Sequence, residues 1–389
     1  MASSTGNSLQ SNYSYPRPRH VESLRYHQQD EINGNSKTPD ELRICQSLLA
    51  DTNLKVKLGN VLSEPFSTTL GTPQGDGLSP ILFAIYLESA LRHVRILAGS
   101  RPNEDEGLPQ EAIYADDTDF ISKVQSYLKD LEKIIPPTIG EYNLIANASK
   151  WDRTTLTSTI NEGKDQANWR LTKKLGSLLG DKEDVERRRS LARESFKSLR
   201  MLWDRTGVTS IETRVRAYNA LVLPVMLYNC GTWGLTESIL NILEVQHRDF
   251  LRDIIGVKAA VDIHNVELYN KCNTKPLKLR IVRARWSLFG HILRLSRDTP
   301  AQLAMDYYGQ LEKGEKEPRG RPDTTLPVLL FNEYRKYKEV KKERGWSVVK
   351  SKADTLAELR ILAADRQKWR KLVNFICGEE FDEESACFD

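Results

Sequence analysis

Glu111-Ala-Ile-Tyr-Ala-Asp-Asp-Thr-Asp-Phe-Ile-Ser122 reads as strand, tight turn, strand, with two adjacent carboxylates, Asp116 and Asp117, at the turn. Hard oxygen donors side by side in an apolar surround are what a Mg²⁺ or Mn²⁺ site for phosphoryl transfer requires, because such ions stabilise the attacking and leaving oxygens of an in-line displacement. Taken alone, an Asp-Asp pair is also what a solvated turn carries. Downstream, Ser126–Trp151 gives an amphipathic helix that Pro136-Pro137 should stop, then a return strand. A β-turn-β, α, β order of this kind suits part of a mixed α/β sheet.

Upstream, Leu54–Gly71 alternates apolar and polar residues around Gly59-Asn60, a hairpin pattern. Thr72-Pro-Gln-Gly-Asp-Gly77 is a turn, and Ser79 onward is a strongly apolar helix expected to be buried on most of its circumference. Glu41–Thr52 places Leu42, Cys45, Leu48 and Leu49 on one helical face, with Pro39 suited to the first helical position. Residues 1–37 are rich in Ser, Asn, Gln and Pro without apolar periodicity and read as a disordered tail.

After Asp181 the pattern becomes helical. Val185–Trp203 puts Ala192, Phe196, Leu199 and Trp203 on one stripe, with Arg187, Arg188 and Arg189 turned outward. Ser210–Pro224 and Thr236–Gly256 are further amphipathic helices, the second capped by Gly256. Lys275–Asp298 is a basic helix or helix pair broken near Gly290, Lys313–Thr325 a Gly/Pro linker, and Asp354–Ile376 a final helical stretch before an acidic tail.

The chain has 389 residues, 39% hydrophobic and 28% charged, with a net charge of +4, an ordinary balance for a soluble protein. Between Lys271 and Pro300 the charge is concentrated: eight basic residues face one acidic residue, Asp298, a candidate phosphate-facing surface. Arg283, Arg285 and Arg294, with Trp286 and His291, combine cations with a stacking ring, although Trp286 also suits a core. Five scattered cysteines without a CxxC pair suit free thiols in a reducing compartment. The absence of a signal-peptide pattern leads us to expect an intracellular protein, cytoplasmic or nuclear, without a membrane partner.

The Tyr114-Ala115-Asp116-Asp117 segment, joined at this spacing to Thr69–Arg95 ("TLGTPQGDGLSPILFAIYLESALRHVR"), resembles the reverse transcriptases of non-LTR (LINE-type) retrotransposons. The resemblance extends over roughly residues 38–375, and Arg216–Thr236, Arg285–Asp298 and Gly320–Lys336 also carry it. It implies an α+β fold: a partial polymerase palm over 38–181, a helical thumb and basic region over 182–300, and a linker, C-terminal helices and acidic tail over 301–389. It further implies RNA-templated DNA synthesis on a DNA primer, with dNTPs and Mg²⁺ or Mn²⁺.

Carried over, Asp116 is the metal ligand and Asp117 its supporting carboxylate, with Tyr114 and Ala115 beside them. Gln74 and Gly75 form the loop that faces template and incoming nucleotide. Lys150 lies where a lysine approaches the departing pyrophosphate, though a surface lysine fits the same pattern. Leu175–Gly180 resembles a primer-gripping hairpin, and a structural turn explains it equally.

Such a site needs a further Asp on a strand upstream of the helix near Asp40. Arg17–Arg43 offers Glu22, Asp30 and Glu31, none in an apolar strand pattern. The expectation is therefore a truncated polymerase, inactive by itself, or alternatively a non-catalytic nucleic-acid-binding remnant of a retroelement.

Overall fold

In a computed structural model the chain forms two units, Ala2–Asp165 and Gln166–Asp389. The structure describes residues 6–14, 53–67, 77–105, 108–156, 169–204, 208–257, 263–310, 325–342 and 352–378. The helix expected over 41–52, the Gln74-Gly75 loop and most of the Lys313–Thr325 linker lie outside them.

The first unit contains β1 (Gly6–Ser14), β2 (Asn53–Leu54), β3 (Lys57–Leu58), β4 (Val61–Leu62), β5 (Phe66–Ser67), α1 (Ser79–Ala98), β6 (Glu111–Tyr114), β7 (Asp117–Ser122), α2 (Gln125–Glu141), β8 (Ile145–Ala146) and β9 (Asp152–Leu156). Its main sheet runs β6-β7-β1-β8, with β9 also paired to β1. Every pairing is antiparallel, and β1 is central, bonded to β7 on one edge and to β8 and β9 in succession on the other. β7 alternates half-buried and buried residues, with Thr118, Phe120 and Ser122 turned inward. Against Phe120 pack Leu87, Ala90, Leu91 and Val94 of α1, and Leu128, Leu131, Ile135 and Ile139 of α2.

Three expectations are corrected here. Residues 1–37 are not uniformly disordered, because Gly6–Ser14 is a strand. Hydrophobic periodicity reports side-chain burial, whereas this strand is defined by main-chain pairing on both edges, which leaves no mark on composition. Next, α2 runs through Pro136 and Pro137 rather than stopping there. Each proline removes one helical hydrogen bond at a cost of about 3 kcal/mol. The prolines sit on the exposed face, while Leu128, Leu131 and Ile135 before them and Thr138 and Ile139 after them share one buried face. At about 1.5–3 kcal/mol per buried large apolar side chain, that face outweighs the interruption. Finally, α1 is buried along one stripe only, with Ile81, Ile85, Ile96 and Leu97 exposed.

The β3–β4 hairpin turns at Gly59-Asn60 as the alternation implies. Gly59 adopts φ +62°, a conformation that favours glycine.

The second unit comprises β10 (Lys173–Lys174), β11 (Ser177–Leu178) and helices α3 (Asp181–Ser198), α4 (Arg200–Asp204), α5 (Ile211–Leu221), α6 (Leu223–Met226), α7 (Glu237–Ile255), α8 (Asn265–Lys271), α9 (Leu277–Arg294), α10 (Pro300–Gln310), α11 (Leu326–Lys342), α12 (Lys352–Ala364) and α13 (Arg366–Ile376). Ser210 caps α5 by accepting from the Thr213 amide, and Gly256 closes α7 at φ 79°, as read from the sequence. Asp365 divides the last helical stretch by accepting from the Gln367 and Lys368 amides.

α9 is one uninterrupted helix, not a pair broken at Gly290. Its Leu277 and Ile281 belong to a first core with Phe196, Trp203, Tyr218, Phe250 and Leu251. Its Val282, Trp286, Phe289 and Leu293 belong to a second with Tyr334, Leu359 and Trp369. The second unit begins at Gln166, so the β10–β11 hairpin belongs to the same unit as the helices. Among the described residues Cys230 and Cys272 are buried free thiols, Cys377 is buried too, and no helix is long and apolar enough to cross a membrane.

Candidate active site

The turn between β6 and β7 holds two residues, Ala115 and Asp116, inside the closing pair Tyr114↔Asp117. Ala115 adopts φ 54°. Left-handed backbone at a non-glycine residue costs about 1–2 kcal/mol, and a positive φ at the first turn position matches the twist of a two-residue hairpin. The result pushes the tip outward: Tyr114 is 67% exposed and Asp116 is exposed, while Asp117 is half-buried.

The base of the hairpin is anchored. Fully buried Asp105 accepts from the Ser122 hydroxyl at 2.5 Å and from the Lys123 amide at 2.6 Å, with the Arg101 guanidinium 3.6 Å away. At the start of β6, Arg95 bridges Glu111 (2.7 Å) and Glu88 (2.8 Å), tying the strand to α1. These carboxylate bonds push the Arg95 pKa up, and the bond from Arg95 holds that of Glu88 down. Neither Asp105 nor the Arg95 bracket was read from the sequence. The Glu88, Arg92 and Arg95 spacing on a helix was the available signal, but Glu111 joins it only through tertiary contact.

β1 is the strand beside β7 at the level of the turn, and Asn12 is the partner of Asp117. Its sequence, Gly-Asn-Ser-Leu-Gln-Ser-Asn-Tyr-Ser, contains no carboxylate. Among the described residues no group of three or more His, Cys, Asp or Glu side chains is placed to hold a metal. Asp116 and Asp117 therefore match a hard divalent cation in donor type and fall short in number. Asp119 is a strand residue in β7.

Lys150 ends a short 3₁₀ turn, Ala148–Lys150, organised by Asn147, whose side chain accepts from the Ser149 amide and hydroxyl. Because β1 pairs Asn12 with Asp117 and Tyr13 with Ala146, this turn follows the strand at the same end of the sheet as the Asp-Asp tip. The separation is two strand spacings, about 10 Å. Gln74 and Gly75 lie outside the described residues.

In the second unit, Leu175 (φ 45°) and Gly176 (φ 82°) form the tight turn between β10 and β11. The hairpin is held from α3. Asp184, buried, accepts from the Leu178 amide at 2.9 Å and the Trp233 indole at 3.2 Å. Arg188 donates to the Gly176 carbonyl and to Ser177 Oγ at 3.1 Å, and its guanidinium lies 4.3 Å from the Tyr228 ring centre. Tyr228 in turn donates to the Leu175 carbonyl at 2.9 Å. Arg188 is thus buried and structural, correcting its outward placement.

Of the three α9 arginines expected to meet nucleic acid, Arg285 is buried among the helices. Arg285 is 1% exposed and paired with Glu333, whose other oxygen accepts from the indole of fully buried Trp286. Arg283 donates to Asn374 at 3.0 Å and Arg294 to the Ala363 carbonyl at 3.2 Å, both half-buried. A run of cations in sequence does not distinguish a phosphate surface from a helix whose arginines tie neighbouring helices together.

Residues 22–189 match the family Reverse transcriptase (RNA-dependent DNA polymerase). The chain is 22% identical over 247 residues to the RNA-directed DNA polymerase from mobile element jockey of Drosophila melanogaster, an alignment covering 59% of this chain. The chain spans about a quarter (26%) of that relative's length.

Proposed function

We propose, for a chain that resembles the reverse transcriptases of non-LTR retrotransposons, that its first unit is a polymerase palm and its helical unit the thumb region of the same kind of enzyme. The activity of the complete polymerase is RNA-templated incorporation of dNTPs at a primer 3′-OH by two-metal phosphoryl transfer. Asp116 and Asp117 are its metal-side carboxylates. Gln74 and Gly75 face template and nucleotide, and Lys150 stabilises the departing pyrophosphate. Mg²⁺ or Mn²⁺ is the implied cofactor. The observation carrying this reading is the anchored hairpin that projects Tyr114-Ala115-Asp116-Asp117 from the edge of an antiparallel sheet, inside the matched region.

This chain alone is proposed to incorporate no nucleotide. Phosphoryl transfer is chiefly positioning and charge stabilisation, so a clamp with carboxylates from one turn forfeits several orders of magnitude in rate. The carboxylate shortfall among the described residues favours the second reading, a binding remnant. Primer extension on a primed RNA template, with Mg²⁺ and separately Mn²⁺, beside Asp116→Ala, tests both. No extension, with binding that weakens steeply as salt rises, supports a remnant. Extension that vanishes in Asp116→Ala would make the chain an enzyme.

A further inference from the structure

Helices α9 and α13 lie antiparallel. Arg283 donates to Asn374 at 3.0 Å, the Trp369 indole donates to the Trp286 carbonyl, and Arg294 reaches the Ala363 carbonyl just before α13. On α9, Arg283, Ser287, His291 and Arg294 recur at helical spacing along one flank. On α13, Arg366, Arg370 and Asn374 do the same. The Arg283–Asn374 bond joins the two flanks, so they border a single seam. From position 283 to 294 it runs about 16 Å, at about 1.5 Å of rise per residue.

The seam is cationic along its length, since neither helix contains an Asp or a Glu. Acids of the neighbouring segments are engaged by other groups: Glu333 by Arg285, Asp306 by Arg360, and Asp365 by Lys368 and the amides it caps. Asp298, beyond the end of α9, accepts from the Ser296 hydroxyl. Ser287, His291, Arg366 and Arg370 are exposed, and Arg283 and Arg294 are half-buried. Burial lowers the Arg294 pKa, and the Arg366 guanidinium lowers it further. Tertiary packing thus holds like charges together, and an anion bound between them would relieve the repulsion.

The lining decides the class of ligand. A protein partner calls for an apolar centre depleted in charge, whereas these flanks present arginine, serine, histidine and asparagine. Guanidinium forks match phosphate oxygens, and a row of them along a helix axis can follow a linear polyanion. We propose that the α9–α13 seam binds the sugar-phosphate backbone of RNA. The choice of RNA rests on the polymerase reading, while the seam itself uses no residue of the palm. Arg366 and Arg370, far from the basic run at Lys271–Pro300, share the contact with Arg283 and Arg294.

The test is fluorescence anisotropy of the full chain with a labelled single-stranded RNA over a range of salt. Arg366→Gln/Arg370→Gln should bind at least about tenfold more weakly at low salt. Its log–log salt slope should be shallower by about 1.4, near 0.7 for each phosphate contact removed. Arg366→Lys/Arg370→Lys keeps both charges and should keep the slope. Arg200→Gln/Arg216→Gln removes the same charge from exposed positions on α4 and α5 and should leave binding unchanged. Circular dichroism checks the fold. If the glutamine pair unfolds, Arg370→Gln alone takes its place, with a slope change of about 0.7.

Failure of folded wild type to bind would overturn the proposal. So would an unchanged slope in Arg366→Gln/Arg370→Gln, or an equal loss in Arg200→Gln/Arg216→Gln. Displacement of the RNA by poly-glutamate at matched charge would assign the seam to an acidic protein instead. Comparing primed with unprimed RNA separates the two readings. Seam-dependent binding without preference for the primed template defeats the polymerase reading and leaves the seam standing. A preference for the primed template that survives intact in Arg366→Gln/Arg370→Gln does the reverse.

Discussion

The indole of Trp369 lies directly on the backbone of Gly290: a Cβ added at position 290 would sit 2.2 Å from the indole nitrogen. That nitrogen donates to the Trp286 carbonyl at 3.1 Å, so withdrawing the ring would break this bond. The glycine that reads as a helix break is a contact point between α9 and α13, and the helix continues through it.

Gly290→Ala should therefore destabilise the protein. Helix propensity alone predicts a gain of about 1 kcal/mol, but overpacking a fixed aromatic contact costs about 1–3 kcal/mol and also breaks the indole bond. The net expectation is a loss of roughly 1–3 kcal/mol, measured by urea unfolding. A rise in stability would show that propensity governs and the contact does not.

At the candidate active site, Ala115→Gly should raise stability by about 1 kcal/mol, because it removes a left-handed strain without touching either carboxylate. Ala115→Val should lower it, since a β-branched residue resists φ 54°. Paired thermal melts check the order, and equal melting points for the three proteins would refute the strained turn.

Asp184→Ala is expected to cost roughly 3–5 kcal/mol, the usual penalty for removing one partner of a buried charged pair. It would leave the Leu178 amide and the Trp233 indole without their shared acceptor, and the Arg188 guanidinium, 3.6 Å from Asp184, without that counter-charge. Hydrogen exchange supplies the local readout: the Leu178 amide should lose protection first. Unchanged protection there would mean that α3 does not secure the hairpin.

Stability of the helical unit should fall on acidification between the ordinary histidine pKa and about 4. His247 is fully buried, and its Nδ1 pairs with the Tyr218 hydroxyl at 2.7 Å. Burial pushes its pKa down to about 4, only partly opposed by the nearby Glu244 carboxylate. The unfolded chain therefore takes up a proton in this window that the folded chain refuses, and stability rises with pH across it. The upper bound is roughly 3 kcal/mol. Urea midpoints at several pH values, compared between wild type and His247→Phe, should show a shallower slope in the variant. Parallel slopes would assign the acid sensitivity elsewhere.

The hairpin with Asp116 and Asp117 at its turn, the apolar helix after Gly77 and the capped helices of the second unit were legible in the sequence, because alternation, 3.6-residue periodicity and capping are local properties of a chain. The α+β class was implied by the family resemblance, and the described helices and small sheets are consistent with it. Tertiary structure decided what depends on partners distant in sequence. Gly6–Ser14 became the central strand through main-chain bonds that any polar residues can make. Burial on both sides carried α2 through two prolines, and Glu333 took Arg285 out of solvent. A charge or a backbone N–H advertises only what it can bond, and the fold selects the partner. For the same reason the two carboxylates of the turn were readable from the sequence, while the residue set opposite them, Asn12, emerged only once the strands were paired.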